Sequence, residues 1–443
     1  MKIELVERLR NDTEKNVMLQ LIITGTSYEA ENKVVCVQSP MHSEPFCFSE
    51  IIINNLKKDE IQRLDLMYKF ESGGRYVFYI WEKGSKLQTL KSAVVNMKGA
   101  GVYSGNTHSH STYSDGKSTL EENRKAMMEC GHSFIYATDH NTTAHYAELE
   151  EYEKKGIDEN FLHIPGWEFT TKYGHSIAYG SNETVDVAKI PERNNLKAWQ
   201  EFVNEMNATN AIVYMAHPYE APRYEFGDNV LCGIKGIVGV EAWNGYNYHA
   251  LAYQNRKSFE IWDSFNRRGD RHYYGNAVSD AHTRNGQSSP YIKGYMNTLS
   301  KQAVEAMLKE GTYIGSNGPE IEFSLGDAEI GETCRIHSGE FQKILMKINV
   351  FDPLGEIEMV NVYRGFVDGE YTVKPNTKKI FEFYPIGELE KRNFVKNLYV
   401  DVTAGEFYRV EVVTSVGVVA YIADVKRLEK GFAFTNPIWI DMI

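Results

Sequence analysis

The chain has 443 residues, of which 42% are apolar and 24% charged, and it carries a net charge of −12 at pH 7. The mix is that of a globular protein, and the length exceeds one ordinary core, so two or three domains are expected. The acidic surplus argues against a nucleic-acid or anionic-membrane binder, since both are held by basic patches.

No window is apolar enough to span a bilayer, and the first residues lack the apolar stretch of a signal peptide. Five cysteines, at 36, 47, 130, 232 and 334, are scattered and form no CxxC pair. They read as free thiols in a reducing compartment, so a cytoplasmic protein is expected.

Residues 1–98 carry strand signals. NVMLQLIITG, KVVCVQSP and GGRYVFYIWEKG are β-branched and aromatic runs broken by turn formers. IIINNLKKDEIQRLDLMYKF reads as a helical or irregular insert. A small β domain is expected.

From 99 to 318 the pattern becomes strand, polar turn, helix. SGNTHSH ends a strand, and Ser118 with Glu121 has the spacing of a capping box for a helix reaching Glu129. FIYATDH, FLHIPGWEFT, GHSIAYG, AIVYMAHP, IVGVEAWNG and YYGNAVSDAH read as strands. Between them, a charged helix is expected near Ala147–Lys155. Leu196, Trp199, Phe202, Val203 and Met206 recur at helical spacing, as do Leu251, Phe259, Trp262 and Phe265. Val304, Met307 and Leu308 mark the inner face of a last helix. Such alternation predicts an α/β unit with a parallel sheet or barrel. From 319 to 443 the chain is strand-rich again, with QKILMKINVFDP, IEMVNVYRG and EFYRVEVVTSVG alternating apolar and polar residues. An immunoglobulin-like sandwich is expected there.

The chemistry lies in the middle segment. His-x-His in extended chain puts both imidazoles on one face, roughly 6–7 Å apart. Polar clusters recur at expected strand ends: His108 and His110, Asp139 and His140, Glu168, His175, His217, and Asp280 with His282. Asp115 lies in the loop after the first. In a barrel of parallel strands that end is where active sites are built. So many imidazoles and carboxylates meeting at one mouth imply cations among them. Nitrogen and oxygen ligands together suit Zn, Mn or Fe, and the surplus of ligands implies two or three ions. Such ions activate water and clamp an ester oxygen. The chain has no GxSxG elbow and no P-loop. The nucleophile is therefore expected to be metal-bound hydroxide.

HSHSTYSDG, ATDHN, PGWEFT, AHP and SDAH, in this order, resemble the polymerase and histidinol phosphatase (PHP) family. The resemblance covers residues 99–318. It implies a distorted (β/α)7 TIM-like barrel, here flanked by the two β domains, and a trinuclear metal-dependent phosphoesterase. GHSIAYG, SNGPEIEFSLGDAEIG and the β segment that follows resemble the CehA/McbA subgroup, which includes a carbaryl hydrolase. Carried over by motif, His108, His110, Glu168 and Asp280 would hold a first ion. Asp115, His140 and His282 would hold a second, with Glu168 bridging, and Glu168, His175 and His217 a third. Asn106 stands where many members have Asp. Asp139 reads as an orienter of a ligand.

Arg223 and Arg284, just after two of the motifs, are the expected cations for a phosphate oxygen. Solvent or a nearby histidine such as His145 is the expected proton donor to the leaving group. Glu241 and Asn244 fit either a substrate contact or a support for His217. His132, His249 and His272 read as structural or surface residues. The expected substrate is a small-molecule phosphate ester. A carboxylic ester, amide or carbamate is the alternative, and a non-catalytic binding protein a second one. Oligomeric state is not legible.

Overall fold

The structure is a computed structural model. It describes residues 2–6, 16–24, 31–38, 46–53, 56–58, 60–82, 93–97, 99–157, 161–220, 226–246, 249–337, 342–352, 354–417, 420–422, 425–427 and 429–442. It is a mixed α/β molecule, mostly sheet.

Toward the N-terminus, Glu31–Gln38, Phe46–Ile53, Gly73–Glu82 and Ala93–Met97 form one antiparallel ladder. Lys2–Val6, Asn16–Thr24 and Ile61–Lys69 form another. The stretch read as a helical or irregular insert is therefore strand at both ends. Its period of two shows why: Ile61, Arg63, Asp65 and Met67 are exposed, whereas Leu66 and Tyr68 are buried.

Among the described residues, seven successive strands begin the middle segment. They are β1 (Gly101–Asn106), β2 (Phe134–Ala137), β3 (Leu162–Thr171), β4 (Gly174–Tyr179), β5 (Ile212–Ala216), β6 (Gly239–Asn244) and β7 (Tyr274–Val278). Parallel ladders join β1 to β2, β2 to β3, β5 to β6 and β6 to β7. β4 is antiparallel to both β3 and β5. Six strands thus run one way and β4 runs against them, so the expected parallel sheet or barrel is interrupted at β4, which follows β3 with no helix between. A further strand, β8 (Tyr291–Met296), pairs antiparallel with β1. It takes the edge of β1 that β7 would need. β7 and β1 accordingly meet only beyond their C-terminal ends, at an isolated parallel bridge between Ser109 and Ala281. There His110 N donates to Ala281 O (2.9 Å) and Asp280 N to His108 O (3.0 Å).

Among the described residues, six α-helices accompany these strands: α1 (Leu120–Glu129), α2 (Tyr146–Lys154), α3 (Leu196–Ala208), α4 (Asp228–Gly233), α5 (Tyr253–Asn266) and α6 (Lys301–Glu310). The capping box of α1 is one residue later than expected. Thr119 Oγ1 accepts from Glu122 N, and the Glu122 carboxylate accepts from Thr119 N. Ser118 is occupied elsewhere, its hydroxyl accepting from Arg284 N. α3 buries Trp199, Phe202, Val203 and Met206 as its spacing predicts. Leu251 precedes α5 and is exposed, while Phe259, Trp262 and Phe265 are buried. No helix among the described residues is long and apolar enough to cross a membrane.

Toward the C-terminus two sheets face one another. Glu320–Leu325, Gln342–Phe351 and Asn393–Val402 form one, through Phe323, Met346, Ile348 and Val350. The other presents Val360, Val362, Val410 and Val412 to the same core. A strand of this second sheet carries Arg409, which reaches α5 and binds Asp263 through Nε (2.9 Å) and Nη2 (2.8 Å). Ladders also cross both sequence boundaries. Gly73 and Gly74 pair with Gly101 and Val102, and β9 (Tyr313–Ser316) pairs with Gly431–Thr435.

Candidate metal centre

The strands deliver the polar clusters to one end of the sheet. His108 and His110 follow β1, and His140 follows β2. Glu168 lies in β3 and bridges to His140. His217 follows β5, and Asp280 and His282 follow β7. His175 stands near the start of β4, not its end. Because β4 runs in reverse, its start lies where its neighbours finish: His175 pairs with Thr170 on one side and Ala216 on the other. Two of these residues occupy the left-handed region, His217 at φ 24° and Asp280 at φ 49°. Neighbouring Asn141 does as well, at φ 52°. Backbone held there by non-glycine residues costs on the order of 1–3 kcal/mol each and clusters at functional sites.

The nine expected ligands fall into three groups, and within each group the ligand atoms lie within 4.8 Å of one another. One group is His108, His110 and Asp280. A second is His110, Asp115, His140 and His282. The third is Glu168, His175 and His217. Glu168 is fully buried between them. Its Oε1 lies 2.9 Å from His175 Nδ1 and 3.3 Å from His217 Nε2. Its Oε2 lies 2.6 Å from His140 Nδ1 and 3.5 Å from both His108 Nε2 and His110 Nε2. Asp115 Oδ1 faces His282 Nε2 (3.2 Å) and His140 Nε2 (3.4 Å).

Partners behind the rings decide which nitrogen faces inward. Glu241 Oε1 sits 2.7 Å from His108 Nδ1. A carboxylate only accepts, so the proton belongs to Nδ1 and Nε2 faces the group. Thr171 O accepts from His175 Nε2 (3.1 Å), which leaves Nδ1 toward Glu168. Asp280 O accepts from His282 Nδ1 (3.0 Å). Glu220 Oε2 lies 3.0 Å from His217 Nδ1. Asp139 accepts from Ser111 N, Ser111 Oγ and Ser114 Oγ, fixing the loop that carries His110. Asn106 donates to His108 O and Ser279 Oγ and accepts from Ser279 N. It ties the end of β1 to the end of β7, a task an amide performs by donating and accepting at once.

The electrostatics are those of carboxylates among buried rings. Burial works against a charged His108, but Asp280, Glu241 and Glu168 outweigh it and raise its pKa well above the usual histidine value. Burial likewise opposes charge on His140 and His217, yet Glu168 and Asp115 lift the first to about 10, and Glu220 and Glu168 lift the second to about 9. His110 goes the other way, to about 4, through burial and the charge of His140. Burial opposes ionisation of Glu168, but the imidazoles of His140, His175 and His108 hold its carboxyl well below the usual range.

Two expected substrate residues, His145 and Arg284, lie outside the three groups. His145 is fully buried. Its Nε2 is 3.0 Å from Gly166 O and 3.2 Å from Ala137 O, and its Nδ1 is 3.6 Å from Asp139. It braces the strand ends from behind and is not open to a leaving group. The Arg284 guanidinium turns to Glu129 on α1, with Nη2 2.7 and 2.9 Å from the carboxylate oxygens. Arg223 lies outside the described residues. His132 is structural, between Ser104 Oγ and Ser288 O, and His272 stacks on Trp439.

Sequence reasoning left Glu241 undecided and missed Glu220, Thr170 and Asn141. Asn141 exchanges hydrogen bonds with the Thr170 backbone, and Thr170 Oγ1 touches His140 Nδ1 (2.5 Å). One signal was available for Glu241, since it lies near the end of its strand as the ligands do.

No family model matches the chain, and no curated protein matches it. Solved structures resemble it at low identity. A two-domain protein from Bacteroides vulgatus containing a predicted PHP-like metal-dependent phosphoesterase is 14% identical, with a TM-score of 0.39 over 75% of this chain and 95% of that one. A protein of Bifidobacterium adolescentis described as a metal-dependent phosphoesterase is 17% identical, with a TM-score of 0.31 over 46% and 94%. An amidohydrolase from Chromobacterium violaceum is 14% identical, with a TM-score of 0.29 over 40% and 87%. At these values the functional reading rests on the site itself.

Proposed function

We propose that the chain is a metal-dependent hydrolase of the PHP type, acting on a small-molecule phosphate ester. The observation that carries this reading is the buried carboxylate of Glu168, set among three groups of imidazoles and carboxylates. The donor set fits transition-metal ions. His110 Nδ1 is buried without a hydrogen bond, and Glu168 Oε2 is set among the imidazole nitrogens of His140, His108 and His110, a costly arrangement that a cation relieves. His108, His110 and Asp280 would hold one Zn, Mn or Fe ion. Asp115, His140 and His282 would hold another, and Glu168, His175 and His217 a third. When bound, such ions ionise water at neutral pH and balance charge developing on the ester.

The residues of the chain do the positioning. Glu241 fixes the ring of His108, and its other oxygen accepts from His217 N (2.9 Å), so one carboxylate steadies ligands of two groups. Asn244 Nδ2 holds Asp280 Oδ2 (3.0 Å). We read the seven strands as a distorted barrel within 99–318, flanked by β domains at 1–98 and 319–443. The acidic balance of the chain favours neither nucleic acid nor membrane as a partner.

A second reading keeps the ions and replaces the phosphate with a carboxylic ester, amide or carbamate, as in the CehA/McbA subgroup. It is favoured by Arg284, an expected cation for an anionic substrate, whose guanidinium pairs with Glu129 on α1. The test is turnover by protein loaded with Zn, Mn or Fe on phosphomonoesters and phosphodiesters, beside aryl esters and carbamates. Phosphate turnover abolished in a folded His110→Ala supports the first reading. Turnover confined to carbonyl esters transfers the case to the second. Bound metal with no turnover on either panel overturns both and leaves a binding protein.

A further inference from the structure

Two thiols face each other on the N-terminal ladder. The antiparallel register of Glu31–Gln38 and Phe46–Ile53 sets Cys36 directly opposite Cys47. Val35 pairs with Ser49, so Phe48 is the extra residue of a bulge beside the pair. Residues opposed in this way hold their Cα atoms about 4.5–5.5 Å apart. A disulfide spans Cα separations of about 4.4–6.8 Å.

Their surroundings differ. Cys36 is buried on a strand flanked on both sides, by Phe46–Ile53 and by Gly73–Glu82. Cys47 is exposed, and the described ladder of its strand is on one side only. Burial and the neighbouring Cys47 push the Cys36 thiol up to about 12, so Cys36 is a poor starter of exchange at neutral pH. The other cysteines sit on three separate elements: Cys130 caps α1, Cys232 lies in α4 and Cys334 in Thr333–Ile336.

We propose that Cys36 and Cys47 are an oxidisable pair that closes to a cross-strand disulfide, with a low-molecular-weight disulfide such as oxidised glutathione as the oxidant. The sulfur of Cys47 loses its proton and attacks one sulfur of the oxidant, whose other half leaves as a thiol with the bonding pair. Cys36 then gives up its proton and attacks the Cys47 sulfur, expelling the second thiol. Two protein thiols are oxidised while one disulfide is reduced to two thiols, so electrons and protons balance. The strand that carries Cys36 pairs with Gly73–Glu82, which pairs in turn with β1. The bond would therefore form two strands from the one that delivers His108.

The experiment equilibrates the full-length protein in mixtures of reduced and oxidised glutathione. Free thiols are then alkylated in denaturant, and the digest is read by mass spectrometry. Alkylation should be lost at Cys36 and Cys47 together, with their peptides recovered as one linked species and restored by dithiothreitol. In Cys47→Ser, Cys36 should remain alkylable in every mixture. Three results overturn the proposal: a lasting glutathione adduct on Cys47 with Cys36 still free, full alkylation of both throughout, or loss of Cys36 alkylation in Cys47→Ser.

Discussion

Glu241 shows how much a residue outside the ligand groups can decide. Its two oxygens serve His108 Nδ1 and His217 N, and it also accepts from Asn244 Nδ2 (3.2 Å). In Glu241→Gln the amide presents one acceptor where the chain needs two, and its NH2 would face the donor of His108 or His217. Partners behind metal ligands change affinity by about 10–100-fold when removed. Zn affinity, read by competition with a chromogenic chelator, should fall by about that factor while circular dichroism is unchanged. His145 gives the opposite expectation. It bonds two backbone carbonyls in the interior, so His145→Ala should cost about 1–3 kcal/mol in urea unfolding. The pH profile of any turnover should keep its shape, since the ring does not face the ligand groups. Arg284→Ala should change neither, because its pair with Glu129 is largely exposed and such pairs contribute about 0–1 kcal/mol.

Elements meet across the boundary near residue 318 through a buried ionic cluster. Arg409 binds Asp263 on α5 and Glu411 on its own strand, and Arg256 of α5 also holds Glu411 (3.0 Å). Breaking a buried pair on one side leaves an uncompensated charge, so Arg409→Met should destabilise by about 3–5 kcal/mol. The pH dependence follows from Glu411. Burial opposes its ionisation, but the guanidinium groups of Arg409 and Arg256 hold its pKa below the usual value. A depressed folded pKa gives stability that is present above the unfolded value, about 4.3, and lost as pH falls through the folded one. Acid unfolding of Arg409→Met should therefore begin at higher pH than in the parent, as a fluorescence titration would show. α1 makes a local point. Ser118 and Thr119 both suit a cap, and the choice between them fell to Arg284 N, which occupies Ser118.

At the scale of the molecule, the centre couples folding to ions and protons. The carboxylates of Glu168, Asp115 and Glu220 raise His140 to about 10 and His217 to about 9 against the cost of burial. A cation entering must displace those protons, so binding should release protons at neutral pH and tighten as pH rises toward 9. Calorimetry in buffers of different ionisation heat measures the release directly. Chelation should lower the melting temperature, because the cation binds the folded state alone.

The sequence by itself determined the inventory of the site. The spacing of His108 with His110, of Asp280 with His282 and of the solitary Glu168 was legible because neighbours in the chain share a strand end whatever the fold around them. The apolar faces of α3 and α6 were legible for the same local reason. Tertiary structure alone decided what depends on distant segments. The reversal of β4, which carries His175 to the common mouth, rests on its hairpin with β3 and its pairing with β5. The wedge of β8 against β1 replaced the expected parallel neighbour. The turn of the His145 and Arg284 side chains was not legible, because a side chain near a motif can face either way; in the structure they meet Gly166 O and Glu129. Cys36 and Cys47 were scattered in the sequence and are opposed in space, since register is set by a whole ladder and not by its two cysteines.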